Sequence, residues 1–120
     1  MQSVLNSKPD AGVRVFVVWE PIRVSDLAPP LSSVLQRIPD LRARQYWDPG
    51  HVLSAQMKKD ARPPQPAPDC CESSGHLWDL AAVYPTGATW TDRMPAATIF
   101  NGPVIDISES LATALAPPSR

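Results

Sequence analysis

The chain has no long apolar run and almost no net charge. Its apolar stretches all fall short of the ~18–20 residues that a membrane-spanning helix requires. Its polar start, residues 1–6, lacks the basic and apolar regions of a signal peptide. A net charge of −1 argues against the dense basic surface by which proteins bind nucleic acid. These absences predict a soluble cytoplasmic protein with reduced thiols and with no membrane or nucleic-acid partner.

Familiar catalytic motifs are also missing. The sequence contains no Gly-rich phosphate loop, no Gly-x-Ser-x-Gly motif and no metalloprotease pattern. Its two cysteines and two well-separated histidines are too few for a structural zinc site, which takes four ligands. Enzyme activity is therefore left open by the sequence, and no resident cofactor is predicted.

Proline is what the chain has in abundance. Fifteen of the 120 residues are proline, against a usual share of about 5%. They stand at the ends of predicted elements and in residues 63–68, so they punctuate the fold. A hydrophobic content of 43% is enough for one domain with its own core. We predict a flexible lead-in over residues 1–12, a single domain over 13–116 with a Pro-rich loop at 61–76, and a tail at 117–120.

The first half of the domain predicts the order strand, helix, strand, helix. Residues 13–19, Val-Arg-Val-Phe-Val-Val-Trp, are apolar on both pleat faces from the third residue onward, which is typical of an interior strand covered on both sides. A helix opens at the proline pair 29–30 and ends at Pro39. Residues 41–47 predict a more polar edge strand, and residues 48–59 a second helix. This order indicates a right-handed parallel βαβ unit.

The second half predicts antiparallel strands and a closing helix. A third strand is expected over residues 78–84. Residues 97–100 and 104–107 flank Asn101–Gly102, the strongest short hairpin signal in the chain, and a last helix spans residues 108–115. The predicted fold class is therefore α/β. It consists of one central mixed sheet, with strand order 2-1-3-4, and helices on both faces.

Two segments resemble the thioredoxin-like superfamily. Residues 15–21, Val-Phe-Val-Val-Trp-Glu-Pro, look like its first core strand running into the active loop. Residues 94–102, Met-Pro-Ala-Ala-Thr-Ile-Phe-Asn-Gly, are similar to its cis-proline, strand and hairpin. The resemblance is to an uncharacterised bacterial branch, covers about residues 13–115 at the level of architecture, and implies a single thioredoxin-like domain.

The chain departs from that family at the motif that carries the family's chemistry. Thioredoxins have Cys-x-x-Cys where residues 19–23 here are Trp-Glu-Pro-Ile-Arg, so no family cysteine can be transferred. If Pro95 matches the family's cis-proline, it lies beside a loop that bears no thiol. In a competing register, residues 78–90 form the family hairpin and residues 96–107 are an addition. Both registers stay open.

The two thiols of the chain are Cys70 and Cys71, adjacent within the Pro-rich loop. Consecutive Cα atoms lie about 3.8 Å apart, whereas relaxed disulfides want roughly 4.4–6.8 Å, so a bond between neighbours should be easily reduced. We predict that the pair either cycles between dithiol and disulfide or binds a soft ion such as Hg(II), Cu(I) or trivalent arsenic. His76 would serve as an auxiliary ligand or base. The flanking Asp69 and Glu72 disfavour thiolates, and two incidental loop cysteines are the alternative.

Three carboxylates form a second candidate site. Glu20, Asp26 and Asp48 are expected at the carboxyl end of the sheet, where open α/β folds bind ligands. They could bind a cation or transfer protons, or Glu20 could pair with an arginine while Asp48 caps a helix. His51 is expected to be a solvent-facing residue near a helix start. The four tryptophans, at positions 19, 47, 78 and 90, are expected to close the core.

Two classes of function follow from these observations. The first is a non-classical thioredoxin-like protein that uses Cys70 and Cys71, with His76, for redox cycling or soft-metal binding. If it is an enzyme, we expect chemistry of the thiol–disulfide oxidoreductase kind. The second is a catalytically inert adaptor. It would bind a protein partner, or form a homodimer, through a sheet face or the edge strand at residues 41–47.

Overall fold

The computed structural model of the chain describes residues 1–21, 28–63, 65–66, 68, 70–73 and 75–116. The described residues form the helices α1 (Gln2–Ser7), α2 (Ser32–Leu35), α3 (Val52–Asp60) and α4 (Ser108–Ala114), and the strands β1 (Val15–Trp19), β2 (Ala43–Trp47), β3 (Glu72–Ser73), β4 (His76–Leu77), β5 (Ala81–Val83) and β6 (Ile99–Asn101). The chain divides into two compact units. The first contains Met1–His51 and resumes at Ser108, and the second is Val52–Ile107. The predicted tail at 117–120 lies outside the described residues.

The first unit is built on the parallel pair β1 and β2, with α2 between them in sequence. Val15 lies opposite Ala43, and Trp19 lies opposite Trp47. This confirms the predicted order of strand, helix and parallel strand, although α2 has only four residues. The prediction that β1 is covered on both faces is wrong, since Phe16 is 63% exposed. In the described part of the chain β1 pairs with β2 alone, and its outer face lies open to solvent.

The sequence predicts a flexible lead-in over residues 1–12, whereas the structure has α1 there, anchored to the rest of the first unit. The side chain of Leu5 is fully buried at 0% exposure. The guanidinium of Arg42 donates to the carbonyl oxygens of Leu5, Lys8 and Ala11 at 3.0, 2.8 and 3.1 Å. Each of these carbonyls also accepts a backbone N–H, from Lys8, Ala11 and Val13 respectively. The arginine therefore adds a second donor to each and ties the end of α1 and the residues after it to the start of β2.

The two longest helices lie where the sequence predicts them. α3 takes up most of the predicted residues 48–59, and α4 most of the predicted residues 108–115. α4 packs against α1 and buries Leu111. No helix in the described ranges is long and apolar enough to cross a bilayer.

The second unit contains α3 and the antiparallel pair of β5 and β6. Phe100 and its neighbours in this core, Leu77 and Met94, are buried. The predicted hairpin at Asn101–Gly102 is wrong, because β6 pairs with β5 and residues 104–107 form turns. The physical reason is local. Pro103 follows the turn signal directly and has no N–H to donate to a returning ladder.

The α/β class is confirmed, but the predicted central mixed sheet is not shown. Among the described residues the strands form three two-stranded sheets, β1 with β2, β3 with β4, and β5 with β6. The cis peptide bond that the structure records precedes Pro103, whereas the resemblance implies one before Pro95.

Candidate functional site

The structure joins Cys70 and Cys71 by a disulfide. Their Cα atoms are 3.7 Å apart, as adjacent residues must be. The pair stands at the end of the Pro-rich stretch, immediately before β3. Its two members differ in exposure, since Cys70 is half-buried while Cys71 is only 5% exposed. Cys70 is therefore the more solvent-accessible residue of the pair.

A small hairpin fixes the backbone of Cys71. The N–H of Trp78 donates to the Cys71 carbonyl at 3.0 Å, and β3 and β4 continue this ladder. The ion pair of Lys58 and Glu72 ties β3 to α3, which also packs against β4. The prediction that residues 61–76 contain no regular element is therefore wrong at the C-terminal end of that range.

The sulfur of Cys71 lies in a tight pocket. Its Sγ is 3.6 Å from the carbonyl oxygen of Asp79. A Cβ built on Gly102 would lie 2.8 Å from the same Sγ and closer still to the Asp79 carbonyl. The carboxylate of Asp79 accepts a hydrogen bond from the Val104 N–H at 3.3 Å, which holds the loop after β6 against this pocket. Gly102 is required here because any larger residue would occupy the space of the sulfur.

The backbone of Cys71 is held in an unfavourable conformation. Its φ is 81°, in the left-handed region that residues with a Cβ rarely adopt. Such a residue costs about 1–3 kcal/mol and persists only where its surroundings determine it. The ladder to Trp78 and the contacts with Asp79 and Gly102 are those surroundings. The buried half of the disulfide is therefore positioned by two separate segments of the second unit, one at residues 78–79 and one at Gly102.

His76 lies on β4, opposite Ser73. The ladder sets it two residues along from the Cys71–Trp78 bond, which is about 7 Å of strand. Among the described residues no group of three or more His, Cys, Asp or Glu side chains is arranged to hold a metal ion. The predicted flanking Asp69 lies outside the described residues. The assignment of His76 as an auxiliary ligand or base stays a prediction.

The predicted carboxylate site is brought together in part. β1 and β2 are parallel, and the Asp48 N–H donates to the Trp19 carbonyl at 2.8 Å, so the residues that follow both strands lie side by side. Glu20 Oε2 is 3.0 Å from Nδ1 of His51. Asp26 lies outside the described residues. No local pattern marks His51, because its partner Glu20 is 31 residues away along the chain.

A buried polar cluster in the second unit has no counterpart in the sequence predictions. Asp60 is only 4% exposed and accepts the Met94 N–H at 2.8 Å. The amide of Gln65, also buried, donates to the Pro95 carbonyl at 2.7 Å and accepts from the Ala97 N–H at 2.8 Å. These two side chains therefore supply partners for the backbone of a segment that forms no strand. No local motif identifies Asp60 and Gln65, because their hydrogen-bond partners are about 30 residues away along the chain.

Hydrogen bonding and burial shift two pKa values in this cluster. The Met94 N–H, helped by Gln56, lowers the pKa of Asp60. Burial, followed by the nearby negative charge of Asp60, raises the pKa of Tyr84 to about 12. Asp60 is therefore ionised and Tyr84 neutral at pH 7, which suits a structural cluster better than one that exchanges protons.

No protein-family model, curated protein or solved structure matches the chain significantly.

Proposed function

We propose that the protein carries out thiol–disulfide exchange at Cys70 and Cys71. The observation that carries this proposal is the asymmetry of the pair. Cys70 is half-buried, while Cys71 is enclosed by Asp79 and Gly102. An incoming thiol approaches the more accessible sulfur, and the enclosed one becomes the leaving group. The adjacency of the two cysteines supports the same function, because relaxed disulfides join Cα atoms that lie further apart.

The reaction balances with an external thiol as the reductant. A thiolate attacks Sγ of Cys70, a mixed disulfide forms there, and the bond to Cys71 breaks. The electron pair passes to the Cys71 sulfur, which takes up a proton. A second external thiolate attacks the foreign sulfur of the mixed disulfide, releases an external disulfide and leaves Cys70 as a thiolate, which is protonated in turn. Two thiols are oxidised and the protein disulfide gains two electrons and two protons.

The pocket accommodates the product as well as the disulfide. Once reduced, the Cys71 thiol can donate its S–H to the Asp79 carbonyl, which already lies 3.6 Å from the sulfur. The thiol donors that fit this reaction are low-molecular-weight thiols or dithiol proteins of a reducing compartment. The relationship to thioredoxin-like proteins is part of the proposal. It is supported by the α/β class and the parallel βαβ pair. In this chain the two cysteines are residues 70 and 71, whereas thioredoxins have theirs in the loop that follows the first strand.

The first experiment measures the redox equilibrium and the order of attack. Native mass spectra recorded in glutathione buffers of graded potential should show a single transition from the disulfide to the dithiol form, which is heavier by the mass of two hydrogen atoms. Among single variants, Cys71→Ser leaves the accessible Cys70, and Cys70→Ser leaves the enclosed Cys71. We expect iodoacetamide to alkylate the Cys71→Ser variant at least about tenfold faster, because thiol reactivity follows exposure. In urea, where both chains are unfolded, the two rates should become equal.

Two results would contradict redox function. One is a disulfide that persists in excess glutathione, and the other is a dithiol that oxidised glutathione does not close. Equal alkylation rates in the folded variants would contradict the assigned order of attack while leaving redox cycling intact.

Capture of a soft ion is a second use of the reduced pair, favoured by the closeness of the two sulfur-bearing residues. Titration of the reduced protein with a trivalent organoarsenical should give one bound arsenic per chain. Binding should be lost in the Cys70→Ser, Cys71→Ser double variant. The His76→Ala variant tests the auxiliary role, since unchanged affinity there removes His76 from the site.

A further inference from the structure

The outer face of the β1–β2 sheet combines exposed aromatic side chains with cations. Phe16 is 63% exposed and Tyr46 is 48% exposed. Their ring centroids lie 6.3 Å apart, within the range of a direct aromatic contact. Strand alternation sets Arg14 and Val18 on the same face of β1 as Phe16, and Arg44 lies opposite Phe16. We call these five residues the aromatic face.

An uncovered parallel sheet is unusual. Parallel strands occur almost only where both faces are covered, because they are joined by crossovers that pack on the sheet. The inner residues of β1, such as Val15 and Val17, are half-buried, whereas the outer face leaves two aromatic rings in contact with water. Large apolar groups exposed side by side and bordered by charge are characteristic of interaction surfaces.

Arg14 and Arg44 indicate what kind of partner could bind the aromatic face. Arg14 and Arg44 are exposed, and neither forms an ion pair with any described residue. Arg14 directly precedes β1 and Arg44 lies near the start of β2, whereas Val18 and Tyr46 lie toward the ends of these strands. The aromatic face therefore has a positive end and an apolar end, separated by about 7–13 Å along the strands.

Neither a second copy nor a nucleic acid fits this face well. Two copies placed face to face would bring four guanidinium groups and no carboxylate into one interface, which leaves charge without compensation. A nucleic acid needs a tract of cations to neutralise its phosphates, whereas this face offers two and the chain as a whole carries −1.

We infer that the aromatic face binds an acidic amphipathic helix of a partner protein. The apolar stripe of that helix packs on Phe16, Val18 and Tyr46. Carboxylates one or two turns away pair with Arg14 and Arg44. A helix advances 5.4 Å per turn, so one or two turns match the separation of the two ends of the face. This inference is independent of the proposed redox function, because all five residues lie in the first unit.

Selection from a displayed library of random 16-residue helical peptides tests the inference on the full chain. The enriched peptides should share an apolar pair at i, i+4 and acidic residues one or two turns away. The best peptide, made synthetically and labelled, should lose at least about thirtyfold in affinity against Phe16→Ser, as expected for a hot-spot residue. The affinity of the same peptide for the Arg14→Glu, Arg44→Glu double variant should be lower by about tenfold or more.

A matched control separates local pairing from net charge. Arg37 and Lys59 are exposed and neither is one of the five residues of the aromatic face. The Arg37→Glu, Lys59→Glu variant changes the net charge equally and should keep the affinity within about twofold. On the wild-type chain, NMR shifts should centre on residues 14–18 and 44–46, which covers the case of a variant that folds poorly.

Several results would overturn the inference. If the enriched peptides lack acidic residues, the proposed pairing with the arginines is wrong. If the NMR shifts centre outside residues 14–18 and 44–46, the proposed binding face is wrong. A single-stranded oligothymidylate that binds the face more tightly than the peptide makes the ligand a nucleic acid. A dimer in light scattering that Phe16→Ser converts to a monomer makes the cover a second copy.

Discussion

At the scale of single residues, Asp60 shows how one buried carboxylate organises irregular backbone. The segment around Met94 belongs to no strand, and its N–H would be unsatisfied in the core without this acceptor. A buried donor left without a partner costs about 1–3 kcal/mol. The same hydrogen bond lowers the pKa of Asp60. Local structure and acid sensitivity are therefore linked through this side chain.

The pKa shift gives a prediction with a definite sign. The pKa of Asp60 is lower in the folded than in the unfolded protein, where it is about 3.9. The carboxylate therefore stabilises the fold fully above pH ~3.9, and this contribution is lost as pH falls toward the folded-state pKa. In urea unfolding, the free energy of unfolding of Asp60→Asn should be well below that of the wild type at pH 7. The difference between the two should become smaller by pH 3. The exposed Asp10→Asn is the control, and a gap that does not change with pH would contradict the assignment.

The sequence alone locates the two cysteines but not their environment. The adjacency of Cys70 and Cys71 is visible in the sequence and fixes their spacing. The enclosure of Cys71 depends on Asp79 and Gly102, which come from later segments of the chain. The partnership of Glu20 with His51 is hidden for the same reason. Tertiary contacts between distant residues decide these features, and no local pattern encodes them.

At the scale of elements, α1 is a helix that local signals do not predict. It has six residues, too few to be stable alone in water. Its stability comes from the buried Leu5 and from the Arg42 guanidinium, which also binds the carboxylate of Asp40 at 2.8 and 2.9 Å. That pairing with Arg42 holds the pKa of Asp40 well below its usual value. The helix is therefore a product of packing.

Leu5→Ala tests whether α1 belongs to the core. We expect a loss of about 2–5 kcal/mol in the free energy of unfolding, the range for a fully buried leucine. Leu41→Ala, which truncates a fully exposed leucine in the same unit, should change stability by less than about 0.5 kcal/mol. Equal effects in urea denaturation would show that residues 1–12 form the loose lead-in that their sequence indicates.

Elements with strong local signals are the ones that the sequence predicts correctly. β1 is a run of β-branched and aromatic residues, and α3 begins after a proline-bearing turn. The Asn101–Gly102 hairpin shows the opposite case, because Pro103 directly after it removes a backbone donor. β3 and β4 have two residues each and are too short for any periodic signal.

At the scale of the whole molecule, the chain forms two compact units with short elements. The α/β class and the parallel strand pair are predicted correctly from the sequence. The predicted single central sheet is not seen, because the described strands form three two-stranded sheets. Which strands pair is decided by long-range packing, and a residue pattern states only that a segment suits a strand. The buried core of the second unit, around Phe100, is found only once β5 and β6 are paired.

The division into units predicts where a redox change is felt. Cys70, Cys71 and the residues that contact Cys71 all belong to the second unit. Reduction should therefore speed amide exchange at the N–H of Trp78 and in β3 and β4, by about tenfold, because these amides depend on the position of Cys71. Exchange in β1 and β2 should not change.

Hydrogen exchange with mass spectrometry, before and after adding reductant, measures both regions. The Cys70→Ser, Cys71→Ser double variant should not respond to the reductant. A response that extends into β1 and β2 would show that the disulfide supports more than its own unit.

The adjacency of Cys70 and Cys71 has a further consequence for the denatured chain. A cross-link stabilises a protein mainly by shortening the loops that the denatured chain can explore, and this effect grows with the number of residues enclosed. Here the bonded cysteines are neighbours, with a sequence separation of 1, so no loop is closed. Opening the bond gives the denatured ensemble almost no additional freedom. Reduction of this bond would therefore not lower the resistance of the protein to global unfolding through chain entropy.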